Sequence, residues 1–176
     1  GLNRLIRETD PTGFSIRYAY DAAGNRTEVT NQRGYVTRLD YDPLNLVVRA
    51  TAAFGTPEAV VLQETEYDAV GNVIRTTDPR GFGTLYEYDN LDRVVRITSA
   101  EGTIYEAVST FTYDLVGNLD IETREIDGGP NHLTQYTYDH LDRVTSVTRG
   151  LGLPEAVTVR TAYDRAGNTI SESTPR

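Results

Sequence analysis

Residues 20–26 read Tyr-Asp-Ala-Ala-Gly-Asn-Arg, and the Tyr-Asp pair that opens this stretch occurs seven times along the chain. The steps between successive pairs are 21, 26, 21, 25, 25 and 25 residues. Self-similarity at a short, nearly fixed period is typical of repeat architectures, in which one unit buries too little surface to fold alone. The sequence therefore predicts a single array of about seven repeats over residues 1–176. The pairs are Tyr20-Asp21, Tyr41-Asp42, Tyr67-Asp68, Tyr88-Asp89, Tyr113-Asp114, Tyr138-Asp139 and Tyr163-Asp164.

A longer period lies inside the first. Four motifs continue as Tyr-Asp-x-x-Gly-Asn, while residues 41–46, 88–93 and 138–143 read Tyr-Asp-Pro-Leu-Asn-Leu, Tyr-Asp-Asn-Leu-Asp-Arg and Tyr-Asp-His-Leu-Asp-Arg. The two classes alternate strictly, so the full repeat is a doublet of 46 to 50 residues. The Gly-Asn pairs of the first class are Gly24-Asn25, Gly71-Asn72, Gly117-Asn118 and Gly167-Asn168.

Two turn signals alternate along the chain, one between the motifs and one within them. Asp-Pro-x-Gly occurs at 10–13 and 78–81, with a variant lacking Pro at 31–34. It suits a tight turn, because Asp bonds backbone amides ahead of it and Pro presets φ. In Asp-x-x-Gly-Asn, the Gly can adopt the positive φ that closes a short hairpin. Asn or Asp replaces this Gly in the second class, and these are the next best residues for that conformation.

The runs between the turns have the pattern of β-strands. Phe14, Ile16, Tyr18 and Tyr20 alternate with polar or small residues, and such alternation predicts half-buried strands. No stretch has a helical period. We therefore expect an all-β fold of repeated antiparallel hairpins that form a curled, spiralling sheet, since a flat layer would expose both faces and both edges. The extra residues of the longer repeats, at 50–60, 99–108, 127–133 and 150–157, are expected to line one rim.

Composition excludes several kinds of partner and site. The net charge is −9, with basic and acidic residues interspersed, whereas a nucleic-acid partner would require a basic stripe. No apolar run approaches the roughly 18 residues that a membrane span requires. The sequence contains no Cys, which rules out a disulfide framework and a thiolate metal site.

The repeated Tyr and Asp residues are the clearest candidates for a role. We interpret the Tyr side chains as packing groups that stack in a ladder on neighbouring hairpins, with recognition of a carbohydrate or peptide as the alternative. Tyr88→Ala should then be more disruptive than Tyr105→Ala, because Tyr105 lies in an inserted loop. The motif Asp residues are expected to bond turn amides, since their spacing does not supply the converging oxygens of a calcium site.

No catalytic, metal or cofactor site is predicted. His132 and His140 are the only histidines, and they fall in variable positions that suggest neither a nucleophilic triad nor a zinc site. Asn25-Arg26-Thr27 fits a glycosylation sequon, but we interpret Asn25 as a turn residue.

Both ends of the sequence fall inside a repeat. Leu2-Asn3-Arg4 matches Leu91-Asp92-Arg93 and Leu141-Asp142-Arg143, and Thr174-Pro175-Arg176 matches Asp78-Pro79-Arg80. We therefore expect a longer polypeptide in which further repeats cover the strand edges. An isolated segment should then associate end to end or aggregate.

Over its whole length the chain resembles the RHS/YD-repeat family. The elements that carry the resemblance are Tyr-Asp-x-x-Gly-Asn-Arg at 20–26, Asp-Pro-Arg-Gly at 78–81 and Tyr-x-Tyr-Asp at 86–89. The family includes bacterial RHS toxins, shell subunits of insecticidal toxin complexes, wall-associated bacterial proteins and teneurins. The resemblance implies a strip of hairpins wound into a hollow shell. In the toxins the shell holds a C-terminal toxic domain that a self-cleaving aspartyl protease releases, and no residue here matches that protease.

The resulting hypothesis is a noncatalytic scaffold, part of a secreted or cell-surface bacterial shell that encloses a toxin or effector domain. Its partners would be neighbouring repeats of the same polypeptide and the enclosed domain. The alternative is an extracellular adhesion or fibre module that binds a partner or self-associates. A protease-like core and a variable C-terminal domain elsewhere in the polypeptide would favour the shell, whereas many more repeats and a wall anchor would favour adhesion.

Overall fold

The computed structural model describes residues 3–125 and 131–173, and all regular secondary structure in these residues is β-strand. Contacts divide the chain into two compact units, Gly1–Thr84 and Leu85–Arg176. The first unit contains β1 (Arg7–Thr9), β2 (Ser15–Tyr20), β3 (Arg26–Thr30), β4 (Val36–Tyr41), β5 (Val47–Ala52), β6 (Val60–Tyr67) and β7 (Val73–Thr77). Strand β8 (Gly83–Tyr88) contains the division. The second unit contains β9 (Val94–Ser99), β10 (Ala107–Tyr113), β11 (Leu119–Arg124), β12 (His132–Tyr138), β13 (Val144–Arg149), β14 (Val157–Tyr163) and β15 (Thr169–Ser173).

Within each unit the strands pair with their sequence neighbours. The order in the sheet is β1 to β7 in the first unit and β9 to β15 in the second. Pairing is antiparallel throughout, from the β1–β2 pair with Glu8 opposite Ile16 to the β14–β15 pair with Thr161 opposite Glu172. The prediction of an all-β fold built from sequential antiparallel hairpins is therefore confirmed.

Every Tyr-Asp motif closes a hairpin in the same way. In the turn at 113–118, the Asp114 amide donates to the Asn118 carbonyl (2.8 Å) and the Gly117 amide donates to the Asp114 carbonyl (3.1 Å). The residue three positions after the motif Asp has a positive φ in all seven motifs, as the sequence predicts. The φ values are 103° at Gly24, 64° at Asn45, 99° at Gly71, 57° at Asp92, 101° at Gly117, 58° at Asp142 and 91° at Gly167.

A β-bulge follows these turns. Tyr113 pairs with Leu119, but Thr112 pairs with Ile121, so Asp120 is an extra residue in the second strand. The same shift occurs beside Tyr20, Tyr41, Tyr67, Tyr138 and Tyr163. A bulge bends the strand and increases its local twist, so the repeated bulge imposes the same local geometry on each of these hairpins.

The inserted residues form loops at the hairpin ends opposite the Tyr-Asp turns. We call these loops, at 53–59, 100–106 and 150–156, the rim loops; they join β5 to β6, β9 to β10 and β13 to β14. Within each unit, these loops lie at the hairpin ends predicted for the insertions. That all of them line one rim remains a prediction. Of the fourth insertion, at 127–133, residues 127–130 lie outside the described residues, and β12 already begins at His132.

Burial is shallow throughout the described residues. Among these residues only Gly83, Thr65 (8% exposed), Thr98 (8%) and Val108 (7%) are buried, although most strand residues are half-buried. Without a thick apolar core, the hairpins depend on ladder hydrogen bonds and cross-strand side-chain pairs for their stability. We therefore expect the side chains of the Tyr-Asp turns to contribute much of the stability of the contacts between neighbouring hairpins.

Candidate functional site: the Tyr-Asp turns

The first carboxylate oxygen of each motif Asp organises its own turn. At Asp114, Oδ1 accepts hydrogen bonds from the amides of Val116 (3.0 Å), Gly117 (2.8 Å) and Asn118 (2.8 Å). The same oxygen accepts at least two turn amides at Asp21, Asp42, Asp68, Asp89, Asp139 and Asp164. These bonds satisfy backbone donors that a hairpin turn would otherwise leave to solvent.

The second carboxylate oxygen distinguishes the two motif classes. In the Gly-Asn class it accepts from the Asn side chain, as in the 3.0 Å bond from Asn168 Nδ2 to Asp164. In the Leu-Asp-Arg class it accepts from the Arg instead: Arg143 Nε lies 2.7 Å and Nη2 2.6 Å from Asp139 Oδ2. Arg93 and Asp89 have the same arrangement. The second carboxylate oxygen of the motif Asp therefore accepts from an Asn side chain in one class and from an Arg side chain in the other.

These hydrogen bonds lower the pKa of several motif carboxyl groups. Donation by the Arg143 side chain is the largest cause at Asp139, whose pKa falls to about 2 from an ordinary value of 3.8. A carboxyl group stabilised in this way is charged at neutral pH, as its role of accepting hydrogen bonds requires. The pKa is also lowered at Asp21, Asp68, Asp89, Asp114 and Asp164.

The motif Tyr ties each hairpin to the preceding one. The Tyr113 hydroxyl donates to the carbonyl of Val94 (2.7 Å), the first residue of β9. In five other motifs the Tyr hydroxyl likewise donates to a backbone carbonyl in an earlier segment of the chain. The corresponding bonds are Tyr20 to Leu5, Tyr41 to Arg26, Tyr67 to Val47, Tyr138 to Leu119 and Tyr163 to Val144, at 2.8 to 2.9 Å. Tyr88 is half-buried at the end of β8.

Arginines of the second motif class cover the Tyr rings of the next motif. The Arg93 guanidinium lies 4.4 Å from the Tyr113 ring centroid, and that of Arg143 lies 4.6 Å from the Tyr163 centroid. Arg4 covers Tyr20 in the same way at 5.0 Å. Such contacts combine cation–π attraction with packing of the flat guanidinium group. The sequence led us to expect Tyr–Tyr stacking, whereas the described partner of these three rings is an arginine.

The same arginines also reach the backbone of the next turn. Arg4 Nη1 donates to the Asp21 carbonyl at 3.0 Å, and Arg143 Nη1 donates to the Asp164 carbonyl at 3.3 Å. A Cβ added at the turn glycine would lie 3.6 to 3.8 Å from this Nη1 at Gly24, Gly117 and Gly167. At the degenerate second-class motif, Leu46 occupies this place against Gly71 at 3.7 Å. The arginine is therefore a clamp between two successive turns.

A second link runs from the Gly-Asn turns to the following turn. Asn25 Nδ2 donates to Asn45 Oδ1 (2.6 Å), and Asn118 Nδ2 donates to Asp142 Oδ1 (2.9 Å). The acceptors are the residues with positive φ that replace glycine in the second class. Asn25 is thus bonded within the turns, in keeping with its interpretation as a turn residue.

The arrangement offers no described catalytic or metal constellation. His140 shares an open cavity of about 300 Å³ with Asp114, Asp139 and Asp142, but two of these carboxylates are occupied by their own turns. His132 lies on β12 beside Arg124 and Arg149. Within residues 3–125 and 131–173, no cluster of three His, Cys, Asp or Glu side chains is placed to hold a metal ion. The same residues include no helix long and apolar enough to cross a membrane.

The clamp residues were missed by sequence reasoning. Arg4, Arg93 and Arg143 were recognised as part of the second motif class but were given no role, and Asn45 and Asp142 were considered only for their backbone conformation. The strict alternation of the two motif classes was the available signal for the role of these arginines. Where the Asn side chain is lost and Arg is gained, the carboxylate of the motif Asp needs a different hydrogen-bond donor, and Arg can supply it.

Sequence comparison assigns part of the chain to a family. A family model described as RHS Repeat matches residues 1–33 and 67–104. These segments contain the Tyr-Asp pairs at 20, 67 and 88. No curated protein sequence matched the chain.

Solved structures with the same fold include the pore of a Tc holotoxin. The crystal structure of TcdB2-TccC3-Cdc42 matches 92% of this chain with a TM-score of 0.76 and 22% identity. The structure of the Photorhabdus luminescens Tc holotoxin pore matches 94% with a TM-score of 0.77 and 21% identity. The crystal structure of TcdB2-TccC3 matches 92% with a TM-score of 0.77 and 20% identity. The chain spans 9% of the length of each of these proteins.

Proposed function

We propose that this chain is a member of the RHS/YD-repeat family, whose repeat model matches residues 1–33 and 67–104, and that it is a noncatalytic structural scaffold. Its role is to form part of a β-shell that encloses a toxin or effector domain. We propose that the polypeptide is bacterial and is either secreted or located on the cell surface. Its partners are neighbouring repeats and the enclosed domain.

The observation that carries the proposal is the use of the repeated side chains. The Asp carboxylates are bonded to turn amides, the Tyr hydroxyls donate to the preceding hairpin, and the Arg side chains clamp the next turn. Groups engaged in this way are not free to bind substrate. A chain whose repeated Asp, Tyr and Arg side chains form contacts between hairpins is suited to forming an extended sheet.

The likeness to the TcdB2-TccC3 assemblies and to the Tc holotoxin pore supports a toxin-related scaffold. Because the chain spans 9% of those proteins, we propose further that its array continues in a longer polypeptide. In that polypeptide the sheet would wind as a spiral around an enclosed domain. The repeated bulge beside the Tyr-Asp turns would supply curvature of one hand.

Protease protection tests this function. The longer reading frame that contains these repeats is expressed and treated with protease under native conditions, and the survival of the non-repeat C-terminal segment is followed by mass spectrometry. Enclosure is supported if the C-terminal segment survives protease as long as the repeats do. This protection should be lost in the double variant Arg93→Ala and Arg143→Ala. Cleavage of the segment at the rate of the same segment expressed alone, while the repeats remain intact, contradicts it.

The adhesion or fibre alternative predicts a different dependence on protein concentration. A fibre module must grow with protein concentration, whereas a shell protects its contents at any concentration. Repeating the protection assay over a dilution series therefore separates the two functions.

A further inference from the structure

The three rim loops share one backbone conformation. In each, the fourth residue donates its amide to the carbonyl of the first, at 3.2 Å for Thr56 to Ala53, 3.2 Å for Thr103 to Ala100 and 2.9 Å for Leu153 to Gly150. The first and third residues have positive φ in all three loops. The conformation is therefore fixed by backbone bonds rather than by the side chains at the tip.

The loops differ at their fifth and sixth positions. Two of them carry Pro-Glu, at 57–58 and 154–155, whereas the middle loop carries Ile104 and Tyr105. Ile104 is 91% exposed and Tyr105 is 71% exposed. Among the described residues, no hydrogen bond or ring contact is made by the Tyr105 side chain. Since the sibling loops fold with Pro-Glu, the fold does not require this apolar pair.

The flanks of the pair are acidic. Glu101 precedes it, and Glu106 follows it and accepts the Gly102 amide at 2.8 Å. A rigid loop that presents Ile and Tyr between carboxylates fits an apolar recess with a basic rim. A bilayer is a poor match, because loops and helices that bind membrane surfaces carry basic rather than acidic flanks.

The first unit contains a recess of this kind. A cavity of about 450 Å³ is lined by the apolar residues Phe54, Ala59 and Val61 and by two arginines and one carboxylate, Arg38, Arg49 and Asp40. Its volume is within the range of about 300 to 1,000 Å³ found for ligand pockets. It can therefore admit the two side chains at the tip of a loop.

The two arginines of this cavity are engaged to different degrees. Arg38 is paired with Asp40 at 2.8 Å and lies 4.6 Å from the Phe54 ring centroid. Arg49 has a looser pair with Glu64 at 3.5 Å, and its side chain is 48% exposed. Arg49 is thus the guanidinium that can still stack on an incoming aromatic ring.

We infer that the Ile104–Tyr105 rim loop of one copy of this chain docks into the Arg38–Arg49–Phe54 cavity of a second copy. Ile104 fills the apolar side, and Tyr105 stacks on Arg49 as Tyr113 stacks on Arg93 within the chain. The contact joins two different surfaces, so it is heterologous and leads to head-to-tail association. It needs only the folded chain, so its failure would leave the scaffold function untouched.

Sedimentation analysis of the 176-residue chain over a wide concentration series tests the inference. The variant Ile104→Pro with Tyr105→Glu, which copies the sibling loops, should weaken association by at least about tenfold. Arg49→Glu should do the same from the cavity side. The matched control, Pro154→Ala with Glu155→Ala in a sibling loop, should associate like the parent.

Mixing the two interrupted variants provides the decisive arm. The loop variant keeps an intact cavity and the Arg49→Glu variant keeps an intact loop, so the mixture should form a one-to-one dimer that neither forms alone. Three results would overturn the inference: a parent that stays monomeric at every concentration, association that survives the loop variant, or a mixture that remains monomeric although each variant alone has lost association.

Discussion

The Tyr-Asp turns and the rim loops occupy opposite ends of the same hairpins and use their side chains in opposite ways. At the turns, Asp, Asn, Arg and Tyr contact the neighbouring hairpin, and the residue type is tied to a specific bond. In the rim loops the backbone supplies the structure, and the tip residues vary between Pro-Glu and Ile-Tyr without a change in conformation. The comparison separates an edge that holds the array together from an edge that is free to acquire new contacts.

The largest expected difference between the two edges concerns their tyrosines. Tyr113→Ala removes a ring covered by Arg93 and a hydroxyl bonded to Val94, and should lower the free energy of unfolding by about 3 kcal/mol. Tyr105→Ala removes an exposed side chain and should cost less than about 0.5 kcal/mol. Urea denaturation followed by circular dichroism measures both. Equal shifts in the two midpoints would show that the turns are no more important for stability than the rim.

A smaller loss is expected where the turn requires a left-handed residue. Gly117 has φ of 101°, and a Cβ there would approach Arg93 Nη1 at 3.7 Å. Gly117→Ala should therefore cost about 1 to 2 kcal/mol, mainly through backbone strain. The same substitution at Gly55, in a rim loop with φ of 81° and no atom within 4 Å, is the control for backbone strain alone. A neutral Gly117→Ala beside a costly Gly55→Ala would contradict the expectation that this turn requires a left-handed residue.

Much of the turn geometry could be predicted from the sequence, because it is local. The positive φ at Asn45, Asp92 and Asp142 follows from residue type and position, and the Asp–amide bonds span four residues or fewer. The Arg clamp could not be found in this way, since Arg93 and the Tyr113 ring are 20 residues apart and meet only when two hairpins lie side by side. The expectation of a Tyr ladder did not include this contact for the same reason, and the ladder itself stays a prediction. A guanidinium group from the preceding turn reaches the ring face and gains both a cation–π contact and a carboxylate partner.

The charge state of the turn carboxyl groups makes the stability of the Tyr-Asp turns depend on pH. Because hydrogen bonds from Arg143 depress the pKa of Asp139 to about 2, its contribution to stability is present above the ordinary value near 3.8 and is lost as pH falls toward 2. The urea midpoint should therefore decrease between about pH 4 and pH 2. Arg143→Leu, which copies Leu46, should flatten this decrease by returning the Asp139 pKa toward its ordinary value. An unchanged pH profile in Arg143→Leu would mean that other groups dominate the acid sensitivity.

The smallest effect is expected when a rim loop is rewritten. Replacing Pro57-Glu58 by Ile-Tyr copies the middle loop onto a backbone held by the Thr56-to-Ala53 and Ala59-to-Thr56 bonds, both 3.2 Å. Because neither tip residue is bonded into the sheet, the change in unfolding free energy should lie within about 0.5 kcal/mol of zero. Loss of the Pro constraint on the unfolded chain acts in the destabilising direction. A matched pair at a turn, Leu141→Pro with Asp142→Glu, should be far more damaging, since Asp142 adopts φ of 58° and accepts Asn118. Should the rim exchange prove as costly as the turn exchange, the tips must make contacts that hold the hairpins together, and the division between a joining edge and a variable edge would no longer stand.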